Sequence, residues 1–219
     1  MLNFNHVQYG YNSELIFRDL SFNLSPGDFT FIIGKSGAGK STLMQMVYMN
    51  ILPDSGTVDI GEFSSSNIKA RMLPELRKKL GVVFQDFKLL SDRNIYDNLS
   101  FILESIGTPK KLIKQKINNV LTDVGLIHRR FSMPNELSGG EQQRVGIARA
   151  MIKEPILFLA DEPTGNLDPE TSEEILQLIK NINSRGTSVL ITTHDYDMVK
   201  KINAKVIKLI DGVALDYKI

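Results

Sequence analysis

Short runs of alternating apolar and polar residues make up the N-terminal part of the chain. The segments LNFNHVQYGY and LSFNLSPGDFTFII have this pattern, and Pro26-Gly27-Asp28 places a turn signal inside the second one. Because side chains alternate between the two faces of a strand, such runs are typical of strands with one exposed face. They predict a small antiparallel sheet that leads into a buried strand at residues 29–33.

Further strands are predicted along the chain: a short one bounded by turns, and then apolar runs typical of buried strands, with helical stretches between them. A helix is predicted at residues 169–184, where Asp168-Pro169-Glu170 is a helix-start signal. Strands that alternate with helices indicate an α/β fold with a mostly parallel sheet that is covered on both faces. The predicted strands occupy residues 55–63, 80–84, 156–161 and 188–195.

The middle third of the chain has a helical rather than a strand pattern. Apolar residues recur at helical spacing between residues 110 and 124, and the stretch after LSGG is also helical. We therefore expect a helical subdomain at approximately 86–150, inserted into a single domain that spans 1–219. The residues predicted to face inward are Leu112, Ile113, Ile117, Val120, Leu121 and Val124 in the first helix and Val145, Ala148 and Ile152 in the second.

Composition narrows the class of protein without identifying it. The 219 residues are 42% hydrophobic, which is enough for one domain with a proper core, and the formal net charge is +1. Such a balance gives no global attraction to nucleic acid or to an anionic membrane. There are no cysteines, so disulfides and thiolate zinc sites are excluded. We expect neither a signal peptide nor a membrane span, and hence a chain that reaches a membrane only through a partner.

The segment GKSGAGKS, residues 34–41, fits the phosphate-binding loop G-x-x-x-x-G-K-[ST] between a strand and a helix. Its glycines let the backbone N–H groups turn inward, and the following helix adds its positive end. Lys40 is expected to neutralise the β- and γ-phosphates, and Ser41 to hold Mg²⁺. A glycine turn that binds nothing is the alternative. The predicted nucleotide contacts in this loop are Gly34, Lys35, Ser36, Gly37, Ala38, Gly39, Lys40, Ser41 and Thr42.

Polar side chains follow three of the predicted strands, at the edge where ligands bind in open α/β sheets. ILFLADE ends in Asp161, a candidate Mg²⁺ ligand, and Glu162, a candidate general base for the attacking water. Gln85 follows GVVF and can reach Mg²⁺ and that water. His194 follows SVLITT and can contact the γ-phosphate and hold the water. Solvated acids at a strand end and a structural histidine are the alternatives.

The stretch LSGGEQQR, from Leu137 to Arg144, predicts a second helix start that suits an anion. Ser138 is a good N-cap, and Glu141 in the first turn complements the helix dipole. Gly139 and Gly140 would let the hydroxyl and the backbone N–H groups approach a γ-phosphate. An ordinary capped helix is the alternative, although two consecutive glycines are a costly choice for it.

These motifs, in this order and spacing, resemble the ATPase cassettes of the ABC family over nearly the whole chain, which implies a P-loop NTPase core. The resemblance implies a homodimer in which the signature residues 137–141 of each chain close over the ATP of the other. It also implies that Tyr11 stacks on adenine, with Tyr9 close by. Asn166, Leu167 and Asp168 would cross the dimer interface, and Asp168 would also cap the helix that follows it.

A narrower resemblance lies in GVVFQDFKLLSDRNIYDNLSF, which together with LADEPTGNLD looks like the bacterial cell-division branch of this family. The lipoprotein-release and macrolide-export branches usually carry Pro and Leu-Thr where this chain has Ser91-Asp92-Arg93-Asn94. The cell-division branch implies an integral, permease-like membrane partner and control of cell-wall hydrolases. Lys35 departs from the pattern, since related chains often have proline there.

Three alternatives to the cell-division interpretation stay open. The chain could serve a lipoprotein-release or macrolide-export transporter, or it could be an ATP-locked scaffold that does not hydrolyse, although Glu162 argues against the scaffold. A nucleic-acid or ribosome-linked ATPase is disfavoured by the single compact cassette and the balanced charge. If a membrane partner inserts a cytoplasmic helix after Gln85, its apolar contacts would come from Phe87, Leu89, Leu90 and Tyr96, whose other role is core packing.

Overall fold

A computed structural model describes residues 1–11 and 14–217, and these form a mixed α/β fold. The chain divides into two compact units. Met1–Arg77 and the segment from Gly186 onward form the first, and Lys78–Arg185 forms the second. Within the described ranges no helix has the length and apolar composition that crossing a membrane requires.

The described chain begins with strands, and helices are interspersed among the strands that follow. In the described part of the chain the strands are β1 (Leu2–Tyr11), β2 (Glu14–Leu24), β3 (Phe29–Ile33), β4 (Ser55–Ile60), β5 (Phe63–Ser64), β6 (Leu80–Val83), β7 (Leu157–Asp161), β8 (Ser188–Thr193), β9 (Lys205–Ile210) and β10 (Val213–Asp216). The α-helices are α1 (Lys40–Val47), α2 (Leu73–Lys78), α3 (Ile95–Ser105), α4 (Lys110–Asp123), α5 (Gly139–Met151), α6 (Pro169–Ser184) and α7 (Tyr196–Lys200).

The first unit contains a sheet with the strand order β5-β4-β1-β2-β10-β9-β3-β8. β1 pairs with β2 and β4 in antiparallel register, whereas β3 pairs in parallel with β8 and β9. Phe31, Ile32 and Ile33 are all buried, because β3 has neighbours on both sides and is covered on both faces. The expected N-terminal antiparallel strands leading into a buried parallel strand are therefore confirmed.

The second unit contains the parallel pair β6–β7 and most of the helices. In α4 the buried stripe consists of Ile113, Ile117, Val120 and Leu121, as the helical spacing predicts. Leu112 was predicted on the same face, and this was wrong, since its side chain is 36% exposed. The stripe begins at Ile113 and continues four and seven residues later, so Leu112 falls about 100° to one side of it.

Two regions differ from the sequence prediction. The helical pattern was expected from residue 86, but the segment before α3 is irregular, and Asn94 caps that helix by accepting a hydrogen bond from the N–H of Asp97 at 2.9 Å. The hairpin β9–β10 was not predicted. Asp211 and Gly212 join its strands with φ of 49° and 80°. An Asp-Gly loop between two apolar runs is a strong hairpin signal, so the sequence did contain it.

Candidate active site

The phosphate-binding loop joins β3 to α1 and needs two of its glycines for backbone reasons. Gly37 and Gly39 have φ of 81° and 93°, in the left-handed region that side chains rarely adopt. A Cβ on Gly39 would also lie 2.7 Å from the ring of Phe17. The loop therefore has its curled shape because glycine stands at these positions. A cavity of about 640 Å³ opens beside its first half, lined in part by Lys35, Ser36 and Ala38.

Lys40 closes this loop from inside. Its ammonium donates to the carbonyl oxygens of Gly34 at 2.9 Å and Lys35 at 3.3 Å, and the N–H of Ala38 donates to Lys35 at 3.1 Å. The positive charge is thus held at the start of α1, where the helix dipole and the N–H groups also favour an anion. The loop fits a chain of phosphates, with Ser41 and Thr42 in the first turn of the helix.

His194 leaves the sheet beside the phosphate loop. β3 and β8 run in parallel, and Ile33 is paired with Thr193, so Gly34 and His194 each follow a paired residue at the same edge. The histidine is exposed. The structure thus brings His194 to the end of the sheet from which the phosphate loop begins.

Tyr11 and Tyr9 compete for the predicted stacking role, and their burial separates them. Tyr11 is 45% exposed and stands at the end of β1, whereas Tyr9 is 8% exposed. Their rings meet edge to face with centroids 5.0 Å apart. A hydrogen bond with Tyr11 and burial raise the pKa of Tyr9 to about 12. Tyr11 therefore has the accessible ring; residues 12 and 13 lie outside the described residues.

In the second unit, β6 and β7 bring three predicted site residues to one edge. Val83 is paired with Ala160, Asp161 and Glu162 follow Ala160, and Gln85 lies two residues after Val83. An amide oxygen and a carboxylate oxygen are ligands that Mg²⁺ accepts, so this edge fits the predicted role of Gln85 and Asp161.

The backbone of Glu162 has an unusual conformation. Its φ of 47° lies in the left-handed region, which costs free energy in a residue with a side chain. The N–H of Gly165 donates to the Glu162 carbonyl oxygen at 3.1 Å and helps to hold this turn. The conformation is maintained by its surroundings, as is common at functional sites.

The start of α5 has a reciprocal cap, in which the side chains of Ser138 and Glu141 each bond to the backbone of the other residue. The Ser138 hydroxyl accepts from the N–H of Glu141 at 3.2 Å, and the Glu141 carboxylate accepts from the N–H of Ser138 at 2.9 Å. That bond to Ser138, and Arg129 with its Nε 3.2 Å away, lower the pKa of Glu141. The ordinary capped-helix role is therefore present. This cap does not exclude the binding of an anion, because the Ser138 hydroxyl can accept one hydrogen bond and donate another.

Close packing accounts for the second glycine of LSGG. Both glycines are helical, and neither has a positive φ. A Cβ on Gly140 would lie 2.5 Å from Cγ2 of Thr171, and one on Gly139 would lie 3.5 Å from Leu167. The helix start is thus pressed against the segment 166–168 and the first turn of α6. At Gly140 the high cost of glycine in a helix is offset by this close approach to Thr171.

We expect Gly140→Ala to destabilise the protein by about 1–2 kcal/mol, because overpacking outweighs the gain in helix propensity. Removing the methyl group it meets, with Thr171→Ser, should restore most of this loss in the double variant. Chemical denaturation of the wild type, the two single variants and the double variant would measure the coupling. If Gly140→Ala cost as much in the Thr171→Ser background as in the wild type, the assigned contact would be contradicted.

The segment between Glu162 and α6 is tied to its neighbours at both ends. Asn166 donates from its amide to the Gln85 carbonyl oxygen at 3.4 Å. Asp168 caps α6 by accepting from the N–H of Thr171 at 2.9 Å, and its hydrogen bonds with Thr171 lower the pKa of Asp168. The predicted capping role of Asp168 is confirmed.

Two polar residues of α5 had no role in the sequence analysis. Gln143 is buried and donates to the carbonyl oxygen of Pro163. Arg149 donates to the carbonyl oxygens of Phe87, at 2.7 Å, and Lys88, both of which have left-handed φ. A signal existed for Gln143, since a glutamine on the same helical stripe as Ile147 and Ala150 breaks an apolar face.

Together, the fold, the phosphate loop and the carboxylates at the strand ends define a P-loop ATPase. The chain belongs to the ABC transporter family, whose model matches residues 17–165, and it is an ABC-type ATPase cassette. It is 44% identical over 211 residues to the cell division ATP-binding protein FtsE of Mycobacterium tuberculosis, covering 95% of this chain and 92% of that one.

Solved structures agree with this assignment. The chain superposes with a TM-score of 0.86 on the dimeric bacterial ABC transporter cassette MJ0796, at 32% identity, covering 98% of this chain and 96% of that chain. A dimeric post-hydrolysis state of that cassette, bound to ADP and Pi, gives the same TM-score at 31% identity and the same coverage.

Proposed function

We propose that this chain is the Mg²⁺-dependent ATP-hydrolysing subunit of a cell-division complex, and that it drives an FtsX-like membrane partner which controls cell-wall hydrolysis. One observation carries the proposal: a single chain bears both a complete phosphate loop and a separate capped helix start, and FtsE proteins are its relatives. The whole span 1–219 would act as one nucleotide-binding domain, with the helical subdomain at approximately 86–150.

In this proposal the reaction is attack of water on the γ-phosphorus of ATP. Glu162 takes a proton from the water while the water oxygen bonds to the γ-phosphorus. The bond from the γ-phosphorus to the bridging oxygen breaks, and ADP and phosphate are released. Lys40 and the N–H groups of the loop bind the phosphates, and His194 orients the water. Ser41, Gln85 and Asp161 are the residues that would hold Mg²⁺, which would supply positive charge against the phosphates.

The working unit is a homodimer. The signature residues 137–141 of one protomer would close over the ATP held by its partner, with residues 166–168 crossing the interface. The relative MJ0796 forms a dimer, and this supports the arrangement for the present chain. ATP binding closes the dimer, and hydrolysis reopens it.

The segment after Gln85 is the proposed docking site for the membrane partner. Leu90 is 38% exposed there, and Phe87, Leu89 and Tyr96 are half-buried. The chain would therefore work at the cytoplasmic face of the membrane, held there by its partner.

Affinity capture from detergent-solubilised membranes of the native bacterium tests this function. We expect the wild-type chain to capture a small permease with an extracytoplasmic domain, together with wall hydrolases or division proteins. Leu90→Asp should lose the permease, whereas Leu52→Asp, which alters a leucine of similar exposure (45%), should retain it. A lipoprotein-release or drug-export permease would favour transport instead, and no membrane protein at all would contradict the proposal.

A further inference from the structure

We propose that Gln143 is a positioning residue. It would couple α5, whose start carries the signature residues 137–141, to the carboxylate of Glu162 in the same chain. The proposal rests on the function proposed above, in which the start of α5 serves the partner's nucleotide and Glu162 serves the chain's own. One amide would then connect the two active sites of the dimer through a single chain.

The side chain of Gln143 joins α5 to the loop that carries Glu162. It is 1% exposed, and its Nε2 donates to the carbonyl oxygen of Pro163 at 2.5 Å. Pro163 directly follows Glu162, so this bond holds the peptide group next to the proposed general base. Gln143 lies five residues after the cap Ser138, or about 7.5 Å along the helix axis.

The side-chain oxygen of Gln143 argues against a purely packing role for this residue. Among the described residues, Oε1 of Gln143 is buried without a hydrogen-bond partner. Its orientation is fixed, because the Pro163 carbonyl can only accept and must therefore face the NH₂ group. An unpaired buried acceptor costs free energy, which a methionine of similar length would avoid. What the amide supplies, and methionine does not, is the bond to Pro163.

The loop held by this bond is under conformational strain. Glu162 has a φ of 47°, and a side-chain-bearing residue persists there only when its surroundings fix it. Gly165 and Leu167 donate to the carbonyl oxygens of Glu162 and Thr164, both at 3.1 Å, but these bonds lie within the loop itself. Gln143 ties the loop to α5.

The start of α5 is packed against the same stretch of chain. Gly140 approaches Thr171 so closely that an added Cβ would lie 2.5 Å from it, and one on Gly139 would make an ordinary contact with Leu167 at 3.5 Å. A shift of α5 as the signature engages a nucleotide would reach the Pro163 carbonyl through the buried side chain of Gln143. The carboxylate of Glu162 takes its catalytic position when the signature of its own chain is engaged.

Gln143→Met tests this coupling, because methionine keeps length and volume but donates no hydrogen bond. We expect the ATPase kcat to fall roughly tenfold to a hundredfold, as slight misplacement of a catalytic group does. The affinity for a fluorescent ATP analogue and the melting temperature should change little. In a Glu162→Gln background, ATP-induced dimerisation should match that of Glu162→Gln alone. Gln177→Met, an exposed glutamine on α6, is the control substitution.

The outcomes separate the inference from the function on which it rests. Wild-type kcat in Gln143→Met would overturn the inference, and so would a loss of dimerisation equal to the loss of kcat, since Gln143 would then act on the signature itself. If Glu162→Gln alone turned over at the wild-type rate, the proposed function would fail as well. Gln143→Leu is a second variant of similar volume should Gln143→Met fold poorly.

Discussion

Replacing Glu162 by glutamine is expected to leave a protein that binds ATP and dimerises but hydrolyses ATP about a hundredfold more slowly, or worse. The amide has nearly the size of the carboxylate and keeps one acceptor oxygen, so the strained turn at φ 47° should persist. It has no lone pair basic enough to take a proton from water. The loss therefore falls on the chemical step and spares binding.

The same substitution removes a negative charge from the nucleotide site. With less repulsion of the phosphates and only slow hydrolysis to reopen it, the closed dimer should accumulate in ATP. Phosphate release and size-exclusion chromatography with ATP would measure the two effects. Glu104→Gln alters an exposed carboxylate on α3 and serves as the control. Wild-type turnover in Glu162→Gln would remove this residue from the role of general base.

The part of the site that the sequence predicts is the part that local chemistry determines. The phosphate loop needs glycine at fixed offsets for its positive φ, and α6 begins at Pro169 because Asp168 caps it. Each of these depends on a few consecutive residues, and a single sequence displays them directly.

Other features of the site depend on contacts between residues that are far apart in the chain, and these contacts cannot be predicted from a single sequence. The left-handed turn at Glu162 and the approach of Gly140 to Thr171 exist only once α5, β7 and α6 are packed. For Gly140, the sequence pointed to an unusual helix start but not to the side chain for which this glycine makes room. Leu112 shows that a local pattern can also be extended too far, since helical spacing alone does not locate the edge of a buried stripe.

Replacing Lys40 by alanine is expected to weaken nucleotide binding by about a hundredfold. Charge-assisted hydrogen bonds contribute about 1.5–3 kcal/mol each, and two of them to the phosphates, taken at the low end of that range, account for a loss of this size. A second effect adds to it, because the carbonyl oxygens of Gly34 and Lys35 lose the ammonium that holds the loop closed. Without it the inward-facing N–H groups of the loop are less well arranged for an anion.

Titration with a fluorescent ATP analogue measures this loss, and Lys69→Ala, which removes an exposed lysine of the same unit, is the matched control. The melting temperature without nucleotide distinguishes the two contributions, since loosening of the loop lowers it and loss of phosphate contacts does not. ATP should raise the melting temperature of the wild type and of Lys69→Ala but hardly that of Lys40→Ala. Unchanged titration of Lys40→Ala would mean that the nucleotide does not depend on this ammonium, and the phosphate loop would lose its assigned role.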